Sequence, residues 1–497
     1  MKDQILRLGR KAAIYGVGSI LNRAISFLLL PLFTKYLTPA DYGVSSILGW
    51  MTFLLTPIFS LGIGTGIATC YYEREGSSQK EGTIWSAVSI LLVSAVTLVI
   101  IGVPFASQWS RFAFQTPDYR TLVTITFFST ALSILSTPFM MYLQFEERAR
   151  LYAAITVITT FVSIGTNILL VVVFRRGVEG LIEGFFVTQI VNLLLFAFPA
   201  IVNLRYRFDF GIGKELLRLG VPLIPSFAFL FILQQGNRYI LQMSGGLEQV
   251  GIYTIGYNFG AVMSVPVDAL VVAWFPYFMS FSERREEARS LFGRIVTFYL
   301  MGFGSLSLLF YIFAKPVVML MTQPAFHEAY QTVGLSATSF FLSGLYYLLL
   351  PGMYFAKDVK HQSWIQGAAA LIGSALSVLL IWKFNILGAG LGLAAGFLLV
   401  VILTFYWNSR RKVEYFQAHY EWKRILTYSL FYVVYILLIQ WNRDYSLITE
   451  GFVSLAFLIP LPFALYAMLN AWERQNLMAM LKRSQQTLFQ RFSNSNS

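Results

Sequence analysis

The stretch Gly18–Phe33, GSILNRAISFLLLPLF, is apolar enough to sit in lipid, yet Asn22 and Arg23 stand in its middle. A charge at bilayer depth costs at least ~3 kcal/mol on insertion scales, so intramembrane ionisable residues mark either function or a dedicated partner. Ser19, Asn22, Arg23 and Ser26 recur every three or four residues and share one helix face. Gln234, Arg238 and Gln242 recur every four, and Tyr253, Tyr257, Ser264 and Asp268 follow the same period. Thr156, Thr160, Ser163 and Asn167 form a further stripe. Polar stripes in hydrocarbon must face protein or water, so these helices enclose a polar surface. Each residue also has a structural reading. Arg23 can serve as a hydrogen-bond hub, Arg238 can brace a loop or snorkel to the nearby outer end, and Asp268 can neutralise an arginine. Glu183, a few residues inside its span, reads first as an interface residue, and the Ser/Thr stripe as helix-packing glue.

The elements that carry these residues are membrane spans. The chain is 57% hydrophobic and 12% charged, against about 25% charged in soluble domains. Mean hydropathy is +0.64. Fourteen segments have the roughly 20 apolar residues that a crossing needs. They lie near 12–37, 42–70, 83–105, 121–145, 151–174, 178–204, 221–244, 250–281, 295–314, 329–356, 365–382, 386–407, 425–441 and 446–469. The basic start (Lys2, Arg7, Arg10, Lys11) leads into an apolar run too long for a cleaved signal, which predicts an uncleaved first span. With both ends on one side, 27 of the 37 lysines and arginines fall on the side of the termini and eight on the other. The positive-inside rule therefore predicts cytoplasmic termini.

The chain repeats itself. DYGVSS at Asp41 matches QVGIYT at Gln249, the mid-span Pro57 matches Pro266, and NR at Asn22 matches NR at Asn237. PFMMYLQFEERARLY at Pro138 matches PGMYFAKDVKHQSW at Pro351. Six spans per copy keep the same topology, so the copies pair about an axis normal to the membrane with a cavity between them. The expected division is a six-helix lobe over 1–207, a second over 208–410, and two additional helices with a cytoplasmic tail over 411–497. Pro57 and Pro266 are expected to kink their helices.

Other signals point away from catalysis and cofactors. GIGTGIA at Gly62 has the glycines of a phosphate loop but ends an apolar span, where close helix packing explains it. No GxxxxGK[ST] occurs. His327, His361 and His419 are scattered, and Cys70 is the single cysteine, so neither a metal site nor a disulfide is expected. The basic balance reads as membrane-surface charge rather than nucleic-acid binding.

LNRAISFLLLPLFTKYLTPADYGVSSILGW…LGIGTGIA resembles the opening of the bacterial polysaccharide flippases. Their superfamily also holds multidrug-and-toxin-extrusion transporters and peptidoglycan-precursor flippases. LRLGVPLIPS…GNRYIL…VGIYTIGYNF…WFPYFMS is similar to that family's second-lobe opening. The resemblance implies an all-α polytopic membrane protein of two six-helix lobes in a V, working by alternating access in the bacterial cytoplasmic membrane. It implies an undecaprenyl-diphosphate-linked oligosaccharide as cargo and a proton or sodium gradient as the drive. Membrane lipids, and polysaccharide-assembly proteins, are the other expected partners. A first-span arginine matters in the peptidoglycan-precursor branch, and Arg23 occupies a similar place. Asp41, in the PADYG turn, matches a common family position. The expected substrate contacts are Arg23, Asn22, Arg238, Gln234 and Gln242. Asp268 and Glu183 are the candidates for ion coupling, and Asp41, Pro57 and Pro266 for gating. No cofactor and no enzymatic step are expected. The rival readings are a peptidoglycan-precursor flippase, a drug exporter, and a membrane glycosyltransferase or polymerase, whose long outer catalytic loop has no counterpart here.

Overall fold

The computed structural model describes residues 27–74, 76–356, 360–410, 416–441, 447–471 and 473–475. Most of the expected first span, with Asn22 and Arg23, lies outside the described residues. Within them the regular structure is helical throughout, and eleven segments are long and apolar enough to cross a membrane.

Helix α1 (Pro39–Phe59) starts at a capping box. The Asp41 carboxylate accepts from the Thr38 backbone N–H at 2.8 Å, and the Thr38 hydroxyl accepts from the Asp41 N–H at 3.2 Å. Both satisfy donors that the first turn leaves without intrahelical partners. The span expected at 42–70 is not continuous. Pro57 cannot donate to the preceding turn, and four residues later Leu61 (φ 54°) and then Gly62 (φ 61°) adopt left-handed backbone. Helix α2 (Ile63–Tyr72) then resumes.

The chain continues through α3 (Ser77–Gly102), the short α4 (Ala106–Phe114) and α5 (Arg120–Phe145). Helix α6 (Ala149–Asn167) runs on into a π-helical segment, Ile168–Val173, and α7 (Gly177–Asn203) completes the set. Along α7, Leu194, Phe198, Ile201 and Val202 are each at least 60% exposed. Their spacing gives one apolar ridge that faces away from the bundle, which is a lipid-facing surface.

Helix α8 (Phe210–Gly220) connects the halves. Asp209 caps it by accepting from the Ile212 N–H at 3.1 Å, and Ile212 and Leu216 bury one face. The next helix, α9 (Ile224–Gly260), is a hairpin rather than a rod. Gly246 breaks it at φ 76°, and Asn237 bonds Tyr253 across the break. Sixteen residues of straight helix would put those two about 24 Å apart. A 3₁₀ turn, Ala261–Met263, precedes α10 (Ser264–Met279), where Pro266 stands in the first turn and needs no intrahelical donor.

Helices α11 (Arg285–Met321) and α12 (Tyr330–Leu349) follow, then a second hairpin, α13 (Lys360–Arg410), broken at Asn385. A methyl built on Gly392 would touch Ser377, so the two arms of α13 lie side by side. Of the last helices, α14 (Trp422–Trp441) and α15 (Leu447–Leu458) dock on α11, α14 also reaches α12, and α16 (Pro460–Met468) packs on α15. Tyr428 pairs with Ser305 at 2.9 Å, Tyr432 with Thr338 at 2.7 Å, and Ser454 donates to the Ile312 carbonyl at 2.8 Å. In a low-dielectric core these bonds replace water that is absent, so they fix register as well as adding stability. Arg424 bonds Glu421 at 2.7 Å and Glu473 at 2.9 Å, which ties the start of α14 to the chain beyond α16.

Candidate functional site: a double cavity between two lobes

Two cavities open along the seam between the halves. One, of about 870 Å³, is walled by α1, α5, α6, α7 and α9. The other, of about 1020 Å³, is walled by α9, α10, α12 and α13, with Phe27, Leu28 and Leu30. Phe53, Leu230 and Gln234 belong to both linings, so the cavities are neighbours that share one wall.

One end of the seam is shut. A methyl on Gly43 would lie 1.9 Å from the Leu247 carbonyl oxygen, and a methyl on Gly251 would lie 1.8 Å from that of Pro39. Only glycine allows backbones this close. The Thr254 and Ser46 hydroxyls join there at 2.8 Å. These residues are 208 apart, as are Gly43 and Gly251, and Pro39 and Leu247. The shut end is therefore built twice, once from each copy of the sequence repeat, about a local two-fold axis. Aromatic rings extend the seal. Trp50 stacks on Tyr239 at 5.2 Å, Tyr42 meets Phe326 edge-on at 5.4 Å, and the Tyr239 hydroxyl donates to the Phe112 carbonyl at 3.0 Å.

The other end is organised differently. Connector α8 lies against α2, where a methyl on Gly62 would meet the Gly220 carbonyl oxygen at 2.4 Å. Arg74 pairs with Glu215 at 2.6 Å, and the Ser86 hydroxyl both accepts from and donates to the Asp209 backbone. The Cys70 side chain is buried beside this joint.

The expected site residues divide among these features. Gln234 lines both cavities. Asp268 and Pro266 line the larger one with Tyr257 and Ser264; Pro57, Ser163 and Asn167 line the smaller. Arg238 is 8% exposed and stands behind the wall. Its guanidinium hydrogen-bonds the Gln235 side chain and lies 4.6 Å from the centre of the Tyr257 ring, whose other neighbours include the larger cavity. Gln242 is buried and lines neither cavity. Glu183 pairs with Arg176 at 2.7 Å and lies off both linings. Asp41 caps α1 at the shut end. Asn22 and Arg23 lie outside the described residues. Thr156 and Thr160 donate to carbonyls of their own helix.

Sequence reasoning missed several wall residues. Gln235 stood beside Gln234 but off the four-residue stripe. Asn258 and Gln366 are single polar residues in apolar spans. Phe53 and Leu230, the shared partition, carry no polar signal at all. Among the described residues no cluster of His, Cys, Asp or Glu has metal-binding geometry.

Eleven helices long and apolar enough to cross a membrane, closed at one end around a central double cavity, define an all-α polytopic membrane protein. The chain belongs to the polysaccharide biosynthesis protein family, whose match covers residues 8–282. It is similar to the Lsg locus putative protein 1 of Haemophilus influenzae, at 22% identity over 55% of this chain, and the match spans 66% of that relative's length. Its fold is similar to the lipid II flippase MurJ in an inward closed conformation (TM-score 0.66, 14% identity, 92% of this chain and 99% of that one). It is also similar to an inward-facing MATE family multidrug transporter of the MOP superfamily (TM-score 0.65, 15% identity, 81% and 97%). An outward-facing structure of a MATE family transporter superposes less well, at TM-score 0.57.

Proposed function

We propose that this protein flips an undecaprenyl-diphosphate-linked oligosaccharide, the repeat unit of a surface polysaccharide, across the bacterial cytoplasmic membrane. The observation that carries this reading is the double cavity, shut at the Gly43–Gly251 end and lying between the two halves of the chain. The family match supplies the polysaccharide context. The charge split along the sequence supports the orientation, with the shut end outward and both termini in the cytoplasm: 27 of the 37 lysines and arginines belong to segments assigned to the side of the termini. The lobes run over 1–207 and 208–410, with the last two spans outside the transport unit.

In this mechanism the sugar enters the cavities while the polyprenyl tail stays in lipid. Arg23 meets the diphosphate; a planar guanidinium binds phosphate through paired hydrogen bonds and replaces its hydration. Gln234 contacts the glycan, and Asn22 and Gln242 support the polar path. Arg238 acts through Tyr257. Asp268 responds to protons or sodium at the wall of the larger cavity; Glu183, held by Arg176, contributes at the outer interface. Pro57 and Pro266 mark where the spans bend, and Asp41 holds the start of the gate helix. No chemical bond in the cargo is made or broken. Assembly proteins collect the flipped unit.

The test is flipping of a synthetic undecaprenyl-diphosphate oligosaccharide in proteoliposomes, with Arg23 replaced by Lys, Ala and Glu. At equal membrane abundance, activity should fall in the order Arg, Lys, Ala, Glu. An Arg23→Ala protein that flips like the parent would remove Arg23 from the phosphate site. Preferential flipping of lipid II would move the protein to the peptidoglycan branch, and export of organic cations alone would overturn the reading.

A further inference from the structure

The connector between the halves carries an uneven set of charges. Residues 205–218 hold four cations, Arg205, Arg207, Lys214 and Arg218, and two acids, Asp209 and Glu215. Both acids are committed. Asp209 caps α8 through the Ile212 N–H at 3.1 Å, and Glu215 pairs with Arg74 at 2.6 Å. Arg207 is also held, donating to the Ser78 hydroxyl at 2.7 Å. Arg205, Lys214 and Arg218 are exposed, and among the described residues no acidic side chain stands within ion-pair distance of them. That includes Glu73 and Glu81, on the segments that pack beside the connector.

Burial sorts α8 into two faces. Ile212, Gly213, Leu216 and Gly220 are buried, and they lie against α2 and α3. Phe210, Lys214, Arg218 and Val221, spaced four, four and three apart, share the face turned away. Phe210 is 77% exposed, so its ring gains almost nothing from the protein interior. Lys214 and Arg218 are one turn apart, with about 5–6 Å between their Cβ atoms. They stand between two exposed apolar side chains. Cations flanked by exposed rings and aliphatics make up the face of a helix that lies in a membrane interface.

The preceding span supplies the apolar part of the same surface. The lipid-facing ridge of α7 runs from Leu194 to Val202, about 12 Å of helix. One leaflet of hydrocarbon is about 15 Å deep. The ridge ends three residues before Arg205, so the first free cation follows directly on the surface where acyl chains lie.

We infer that the connector is a binding site for an anionic glycerophospholipid, whose phosphate meets Lys214 and Arg218 while Phe210 and Val221 seat in the interface and Arg205 adds to the attraction. A zwitterionic lipid brings no net charge to these cations. Free phosphate brings charge but cannot use the apolar side chains. Neither Lys214 nor Arg218 lines a cavity, so this site is separate from the one that takes the cargo. It depends on the chain's lying in a membrane and not on what the chain carries. Gly220 of α8 meets Gly62 across the joint with α2, so a lipid held here ties that joint to the membrane surface.

The experiment uses the full chain in bilayer nanodiscs of phosphatidylcholine with a small fraction of a photoreactive phosphatidylglycerol, and maps the labelled peptides by mass spectrometry. Label should appear within 205–221. Excess phosphatidylglycerol should compete it away, while excess phosphatidylcholine, or inorganic phosphate in the buffer, should not. Each cation near an anionic surface strengthens attachment by about fivefold. Lys214→Gln with Arg218→Gln should therefore cut labelling of this segment at least tenfold at sub-saturating probe. The charge-matched pair Arg150→Gln with Arg284→Gln should leave it unchanged. An unlabelled connector would overturn the inference, as would labelling that survives Lys214→Gln with Arg218→Gln. Equal competition by phosphatidylcholine would reduce the site to ordinary apolar contact, and displacement by inorganic phosphate would make it a free-anion site; either result refutes a site for anionic lipid. The mapping and competition on the unaltered protein do not depend on any variant folding.

Discussion

Gly43→Ala should pry open the shut end. The added methyl would stand 1.9 Å from the Leu247 carbonyl oxygen, where real methyl contacts are essentially never under 3.0 Å. The two backbones must therefore separate by about 1 Å, because the obstacle is main chain and cannot rotate away. Overpacking of this kind costs about 1–3 kcal/mol. If the cost falls on the joined arrangement alone, it shifts the balance between joined and parted ends by roughly 5- to 150-fold. The Ser46–Thr254 contact reports that balance directly, since the two oxygens are 2.8 Å apart. Cys70 is the only native cysteine, so a Cys70→Ser background carrying Ser46→Cys and Thr254→Cys has one cross-linkable pair. Disulfide formation under mild oxidant should slow by about tenfold when Gly43→Ala is added. Gly49→Ala, in the same helix with nothing within 4 Å of its added methyl, is the control and should leave the rate unchanged. Cross-linking at the parental rate in Gly43→Ala would refute the claim that α1 and the α9 hairpin close through glycine.

Other outcomes follow from the same geometry. Arg238→Ala removes the donor to Gln235 and the cation above Tyr257, so it should cost about 1–3 kcal/mol and lower the thermal midpoint in detergent; an unchanged midpoint would deny Arg238 its bracing role. Arg74→Glu should loosen connector α8 and speed proteolysis near 205–209, and adding Glu215→Arg should reverse the effect. The pair is partly exposed, so the change is about 0.5–1 kcal/mol, and no rescue by the charge swap would mean the ion pair does not hold the connector. Asp268→Asn should weaken gradient-dependent flipping more than cargo binding, and identical pH and sodium dependence in vesicles would dismiss it from coupling. Reporters fused after Lys214 and Arg289 should read as cytoplasmic and one near Asp118 as outside; the opposite pattern would invert the orientation.

The sequence made the membrane spans legible because hydropathy acts over whole segments, and the repeat legible because DYGVSS and QVGIYT kept their order. It could show that Ser46 and Thr254 correspond, but not that they touch. That contact depends on helix approach, which glycine permits and neighbours decide. Connector α8 had readable signals, with Asp209 as a cap and Ile212 and Leu216 four apart, but it is too short to register as a span. The break after Pro57 was half visible: the proline announced a kink, and the left-handed Leu61 had no signal. The polar stripe of Gln234, Arg238 and Gln242 was real as periodicity and misleading as a surface. Only Gln234 lines the cavities; Arg238 and Gln242 lie further along the same arm of α9, toward its Gly246 turn, where they are buried among neighbouring side chains. The link from Arg424 to Glu473 joins residues 49 apart, which no local pattern could foresee.

The two-fold arrangement of the shut end has a consequence for how its sequence can change. A contact about a two-fold axis is isologous, the same patch meeting itself, and in a homodimer every substitution there would appear twice. Here both patches are encoded in one chain, so each substitution alters one half of the contact and leaves the other. Gly43→Ala spoils the crossing against Leu247 but not that of Gly251 against Pro39. The two halves are therefore free to specialise: Asp41 caps its helix where the equivalent Gln249 does not carry a charge, and Ser46 faces a threonine rather than another serine. Fusion of the copies turns a symmetric seal into one that can be adjusted a side at a time.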